Sequence, residues 1–222
     1  MSIDRTTERI VADYREQARG DFEMSKILPI LFNTEMVQAI LAGRKTCTRR
    51  AVKRAIPFDS EGKSWSVLIK GEWSGPIGVD DFVEHYTPYH PGDILYVRET
   101  WHKYTKRVEK GESCHLQEFY GYKASVGNSE DASEPWKPSI HMPKEAARIF
   151  LRITGIRLER LQEITEDEAK AEGANWKNGK NVGVEEKMSQ TAVERFAKIW
   201  DSTIKNPIRS PRCWDINPYV WV

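Results

Sequence analysis

The chain has 222 residues, of which 39% are hydrophobic and 30% charged, and its 34 basic and 33 acidic side chains leave a formal net charge of +1. This length predicts one domain with insertions, and the sequence has no apolar run of the roughly 18 residues that a membrane span needs. The near-neutral charge excludes a general attraction to polyanions, so any affinity for nucleic acid must come from a local basic patch.

The first 23 residues alternate acidic and basic side chains and lack the apolar stretch of a secretory signal. A weak apolar stripe predicts that they form a charged helical extension in front of a domain spanning residues 24–222. The three cysteines, Cys47, Cys114 and Cys213, have no CxxC spacing, which argues against a disulfide framework. We therefore expect a cytoplasmic protein with reduced thiols. Its oligomeric state does not follow from the sequence.

In chain order, the apolar run at residues 27–32 predicts a strand. Residues 33–43 predict a short helix, because Asn33 or Thr34 can cap its first turn and Gly43 can adopt the left-handed conformation that follows a helix. Six cations then fall within residues 44–54, without one acidic residue. Such a run forms either a solvated loop or an anion-binding patch.

Residues 55–91 are rich in glycine, proline and aromatic residues, which predicts short strands and loops. A turn at residues 91–93 leads into a strand over 94–101. Alternation along that strand places Glu99 on the core face with Leu95 and Val97, and Arg98 on the other face. A hairpin is predicted around Gly111, and a further strand over residues 148–160.

Two capping boxes predict the remaining helices. Thr165 and Glu168 begin a short helix that ends at Gly173, and Thr191 and Glu194 begin one that buries Ile199, among others. Residues 218–222 predict a final strand. Four tryptophans are expected in the core, namely Trp101, Trp200, Trp214 and Trp221. Four lie in loop-like stretches and are expected on contact surfaces, namely Trp65, Trp73, Trp136 and Trp176.

Several enzyme classes are set aside because their motifs are missing. The sequence has no GxGxxG, Walker, GxSxG or HExxH motif. Its histidines are scattered, and their spacing matches no zinc pattern. We therefore expect neither a metal ion nor a cofactor.

Three ordered motifs remain. They are Gly-Arg-Lys-Thr-Cys-Thr-Arg-Arg at 43–50, Pro-Gly-Asp-Ile-Leu-Tyr-Val-Arg-Glu at 91–99 and Thr-Glu-Asp-Glu-Ala-Lys-Ala-Glu-Gly at 165–173. Together they resemble the ASCH domain family of the PUA-like superfamily. The Arg-Glu-Thr-Trp sequence at 98–101 and the Asn-Pro-Tyr-Val-Trp sequence at 217–221 resemble ASCH-type proteins of bacteriophages and prophages.

This resemblance covers residues 27–50, 91–101 and 148–222. It implies an α+β fold built on a PUA-like β-barrel with flanking helices, with loop insertions at residues 51–90 and 102–147. It also implies that the partner is a nucleoside, a nucleotide or RNA. Because the sequence has no long apolar run, we expect no membrane partner.

A bacterial branch of this family removes the N4-acetyl group from acetylated cytidine with a lysine, a threonine and a glutamate. On the motifs of this chain these residues match Lys45, Thr48 and Glu172. A threonine hydroxyl becomes a nucleophile when a neighbouring base, such as a neutral lysine amine, takes its proton. Glu172 could then orient the lysine or protonate the departing amine. Further residues are expected to bind the substrate, namely Arg44, Thr46, Arg49, Arg50, Arg98 and Glu99.

Three functions stay open at this point. The first is an amidohydrolase acting on N4-acylated cytidine or a related modified pyrimidine. The second is a non-catalytic module that binds RNA or modified nucleic acid through residues 44–54. The third is a phage accessory protein whose tryptophan-rich insertions contact another protein. A steep loss of affinity with added salt would distinguish the second function, because phosphate contacts release counterions.

Overall fold

The structure is a computed structural model that describes residues 25–110, 113–125, 135–174, 191–204, 206 and 210–222. The extension predicted for residues 1–23 lies outside these residues, as does Trp176. Within them the chain mixes helices and strands, so the α+β class is confirmed. No described helix is long and apolar enough to cross a membrane.

The four α-helices of the described part are α1 (Thr34–Leu41), α2 (Val79–Tyr86), α3 (Glu166–Ala171) and α4 (Ala192–Ser202). The strands are β1 (Ile27–Leu31), β2 (Arg50–Ala51), β3 (Ala55–Pro57), β4 (Ser64–Ile69), β5 (Glu72–Trp73), β6 (Ile77–Gly78), β7 (Ile94–Arg98), β8 (Trp101–Lys110), β9 (Ser113–Tyr122), β10 (Phe150–Arg152), β11 (Leu158–Arg160) and β12 (Tyr219–Trp221). Short 3-10 helices occupy Ser139–His141, Lys144–Ala146, Leu161–Glu163 and Trp214–Ile216.

Local capping fixes the starts of three helices, as the sequence predicts. The Asn33 side chain accepts a hydrogen bond from the Met36 amide at the start of α1. Both halves of the capping box are present in α3 and again in α4. At the end of α1, Gly43 has the expected positive φ of 67°. These contacts satisfy backbone groups that a helix end leaves free.

The first sheet has the order β1–β7–β10, with β1 parallel and β10 antiparallel to β7. Helix α1 packs on it, so that Val37 joins Ile30, Leu95 and Val97 in a buried cluster. The predicted alternation of β7 is confirmed, because Leu95, Val97 and Glu99 are buried and Arg98 lies on the other face, half-buried.

The second sheet has the order β11–β12–β2. Strand β2 belongs to the basic segment 44–54 and pairs with β12. Helices α3 and α4 pack on this sheet, with Ala169, Phe196 and Val220 in one buried cluster. The strand predicted over residues 148–160 is therefore wrong as a single element. The chain instead leaves the first sheet at Arg152 and enters the second at Leu158.

The segment 55–91 forms a third sheet, in which β4 pairs with β3, β5 and β6. It also contains α2, where the sequence predicts only short strands and loops. The prediction that Trp65 lies on a contact surface is wrong, since its side chain is only 1% exposed and stacks on Phe82 at 4.5 Å. These two rings pack with Trp221 in a third buried cluster.

The hairpin predicted around Gly111 is confirmed as the two-stranded sheet β8–β9. A Cβ atom at Gly121 would lie 1.9 Å from Nε2 of His102, so a larger residue there would force the buried His102 ring to move. None of the sheets formed by the described residues closes into a barrel. The PUA-like barrel therefore stays a prediction.

Candidate active site

The basic segment is fastened to the carboxyl end of α3. A helix leaves its last carbonyl groups without partners inside the helix. Here the Ala171 carbonyl accepts the amides of Thr46 at 2.8 Å and Cys47 at 3.3 Å. The backbones of Lys45 and Glu172 form an isolated antiparallel bridge. Two motifs more than 120 residues apart in sequence are thereby held side by side.

Gly173 allows this close approach. Its φ is +91°, a conformation that favours glycine. A Cβ atom on Gly173 would lie 3.1 Å from the Cβ of Ala39 in α1 and 3.6 Å from that of Lys45. The glycine that ends α3 therefore also sets how closely α1 and the basic segment pack against it.

The ammonium group of Lys45 is buried and fully hydrogen-bonded. Its Nζ atom donates to Oε2 of Glu172 at 2.6 Å, to the Glu172 carbonyl at 3.1 Å and to the Cys47 carbonyl at 2.9 Å. An ammonium has three N–H groups, so each has an acceptor. The two side chains are only 2% and 5% exposed. The cation also lies at the negative end of the α3 dipole, where it offsets the charge of Glu172.

Arg49 forms ion pairs with three carboxylates, one of which is that of Glu172. Its side chain is fully buried and lies 3.1 Å from Glu159, 3.0 Å from Glu168 and 3.5 Å from Glu172. The sequence motifs predict that Arg49 binds substrate. The structure instead uses its guanidinium within the protein, where it holds the carboxylate of Glu172 in place beside Lys45.

A cavity of about 670 Å³ opens next to the Lys45–Glu172 pair. This is within the usual range for small-molecule sites. Its walls include the expected site residues Thr48, Arg49, Arg50, Arg98 and Glu172. Other walls come from α4 and from the end of α2 with the segment that follows it, namely Phe196, Ile199, Trp200, Tyr86, Pro88 and Tyr89. The prediction that Ile199 is buried is wrong, since it is 37% exposed and lines this cavity.

Two arginines in the wall are held by main-chain carbonyls. Arg50 donates to the Leu31 carbonyl at 2.8 Å, and its guanidinium lies 5.3 Å from the centre of the Phe32 ring. Burial lowers the pKa of Arg50, while the neighbouring Tyr89 and Glu172 raise it. Arg98 donates to the Met142 carbonyl at 2.8 Å and to the Ile140 carbonyl.

The remaining expected site residues lie elsewhere. Glu99 is 1% exposed and forms a two-point ion pair with Arg148, at 2.8 and 2.9 Å, on the core face of β7. Arg44, Lys45, Thr46 and Glu99 do not contribute to the cavity wall formed by the described residues, and Lys45 lies behind Glu172, which does. Tyr89 and Arg212 also line the cavity, but they were not predicted because their segments contain no recognisable motif.

Cys47 provides a chemical probe of the site. Burial raises the pKa of its thiol and the charge of Glu172 raises it further, while Arg49 and Lys45 act in the opposite direction. Because the thiolate is the reactive form, we expect iodoacetamide to label Cys47 slowly at neutral pH. Peptide-mapped mass spectrometry across a pH series should place the midpoint of the labelling rate above that of glutathione. A midpoint at or below that of glutathione would contradict this electrostatic description.

The histidines, cysteines and acidic residues of the described part form no metal-binding group, since no three of them lie close enough together to hold an ion. The carboxylates nearest the cavity are instead paired with Lys45 and with arginines. In comparisons with protein-family models, with curated proteins and with solved structures, the chain matches none.

Proposed function

We propose that the chain is an amidohydrolase that removes an N4-acyl group from cytidine or a related modified pyrimidine. The observation that carries this proposal is the buried Lys45–Glu172 pair, 2.6 Å apart, beside a cavity that Thr48 and Glu172 both line. The resemblance of the three motifs to the ASCH family, with its PUA-like fold, supports the same reading. A shared fold alone does not determine a reaction, so the proposed mechanism depends on the side chains of this site.

In the proposed mechanism, the Lys45 ammonium passes one proton to Oε2 of Glu172, which leaves a neutral amine and a neutral acid. The amine accepts the proton of the Thr48 hydroxyl while Oγ1 attacks the acyl carbon. When the tetrahedral intermediate collapses, the C–N bond breaks and Glu172 donates its proton to the departing N4 nitrogen. The products of this step are free cytidine and an acyl ester on Thr48.

Water then hydrolyses the ester. The Glu172 carboxylate accepts a proton from the water as its oxygen attacks the acyl carbon, and the proton returns to Oγ1 of Thr48 as the carboxylic acid leaves. Arg49, with its contacts to Glu159, Glu168 and Glu172, keeps the Glu172 carboxylate in one position throughout. We propose Arg49 as a positioning residue because its guanidinium is buried within these contacts.

A second candidate function is a cavity that binds the nucleoside without turnover. Its support is that all three N–H groups of Lys45 already have acceptors in the protein. A purely structural ion pair would have this arrangement. The two functions differ in whether Thr48 forms a covalent bond with the acyl group of the ligand.

Acetate release from N4-acetylcytidine tests the proposal. We expect the wild type to turn over and Thr48→Ala to lose at least about a thousandfold in kcat, because the nucleophile is gone. Thr48→Ser keeps a hydroxyl and should retain measurable turnover. Equal rates for wild type and Thr48→Ala would exclude the mechanism. No release by wild type from any acylated pyrimidine would favour the binding function.

A further inference from the structure

Two of the arginines in the cavity wall are held in place but not neutralised. Arg50 and Arg98 are anchored by carbonyl oxygens, which fix a guanidinium without cancelling its charge. Arg49 and Arg148 differ, because each is paired with carboxylates. No carboxylate of the described residues forms an ion pair with Arg50 or Arg98.

The carbonyl that anchors Arg50 lies next to Arg98 in the first sheet. Leu31, whose carbonyl holds Arg50, is the direct partner of Arg98 in the parallel pairing of β1 with β7. The backbone amide of Phe32 also donates to the Arg98 carbonyl at 3.2 Å. Arg50 extends from β2 of the second sheet and Arg98 from the end of β7 in the first, so two uncompensated guanidinium groups from different sheets contribute to the wall of the same cavity.

The rest of the lining adds positive charge and almost no negative charge. The exposed residues Lys53 and Arg212 also line the cavity, and neither has an ion pair with another described residue. Glu172 is the one acidic residue among the described lining residues, and Lys45 and Arg49 already compensate it. Since the whole chain carries a net charge of only +1, this excess is a local property of the cavity.

We infer that the ligand of this cavity carries a phosphate group, so that a nucleotide binds there in preference to an uncharged nucleoside. This inference rests on the proposed function for the identity of the base. A guanidinium presents parallel N–H groups that match two phosphate oxygens, and a fixed fork loses little entropy when it binds them. The rings of Tyr86 and Tyr89, which are respectively exposed and half-buried in the wall, would contact the base.

Isothermal titration with cytidine and with cytidine 5′-monophosphate, neither of which has an acyl group, tests this inference. We expect the wild type to bind the monophosphate about 10- to 100-fold more tightly. Affinity for the monophosphate should fall as sodium chloride rises from 50 to 200 mM, whereas affinity for cytidine should not. Equal affinities for the two compounds, or no binding of the monophosphate, would overturn the inference.

Variants assign the effect to named residues. Arg50→Gln should lower the affinity for the monophosphate at least about tenfold and leave that for cytidine nearly unchanged. Lys53→Gln should cause a smaller loss, and its exposed position keeps the test valid if Arg50→Gln fails to fold. Arg107→Gln, at an exposed position in β8, is the charge-matched control and should have no effect. If Arg107→Gln weakens binding as much as the cavity variants, the contact is unspecific and the inference fails.

Further measurements identify the source of the phosphate, and they test this inference separately from the proposed function. Pentacytidylate that binds more tightly than the monophosphate would assign the site to a nucleotide within RNA, and weaker binding would assign it to a free nucleotide. Either result supports a phosphate site. Preference for the monophosphate without acetate release from N4-acetylcytidine keeps this inference and rejects the hydrolase. Acetate release together with equal affinities for cytidine and its monophosphate keeps the hydrolase and rejects this inference.

Discussion

Replacing Lys45 by arginine is expected to lower kcat for N4-acetylcytidine by about 10²- to 10⁴-fold, the usual contribution of a general base. A guanidinium keeps its proton at any pH at which the protein stays folded, so it cannot accept the Thr48 proton. It does keep the positive charge beside Glu172, which lies 2.6 Å from the native ammonium. The variant therefore separates base catalysis from simple charge neutralisation.

The control for this variant is Lys170→Arg. Lys170 forms an exposed ion pair with Asp167 at 2.8 Å in α3, close to the site in sequence but outside the cavity wall. It should leave kcat unchanged. Circular dichroism and thermal unfolding must show that Lys45→Arg folds before its rate is interpreted. A folded Lys45→Arg protein with wild-type kcat would mean that Lys45 acts only as a fixed charge.

Glu172→Gln is expected to destabilise the fold by about 3–5 kcal/mol, because it removes one partner of a buried ion pair. Both side chains of the pair are almost completely buried, so water cannot solvate the cation that remains. Arg49 keeps Glu159 and Glu168 as partners, whereas Lys45 has no other carboxylate among the described residues. The loss therefore comes mainly from an uncompensated Lys45.

Urea unfolding measures this loss. The matched control is Glu118→Gln, which breaks an exposed pair with Lys103 and should cost at most about 1 kcal/mol. In the double variant Lys45→Met with Glu172→Gln, no cation is left without its partner, so part of the lost stability should return. If Glu172→Gln costs no more than Glu118→Gln, the pair does not carry the energetic role assigned to it.

The sequence by itself determined the local features of this protein. The first residues of α1, α3 and α4 are set by side chains within four residues of the backbone groups they cap. A short segment of sequence is therefore enough to predict where each helix begins. The same holds for the hairpin β8–β9, and for the alternation that buries Leu95, Val97 and Glu99 along one strand and its end. The motifs, through their resemblance to the ASCH family, also predict that Lys45, Thr48 and Glu172 belong to one site.

The tertiary structure decided which partner each buried polar group has. Alternation shows that Glu99 is buried, but only packing pairs it with Arg148, 49 residues later. The basic segment shows many cations, but only its attachment to α3 separates Arg49, enclosed by carboxylates, from Arg50, held by a carbonyl. The hydrophobic pattern likewise does not indicate where a chain passes from one sheet to another. The sequence therefore predicts a single strand over residues 148–160. These outcomes depend on contacts between distant segments, and their free energy exists only once those segments are packed together.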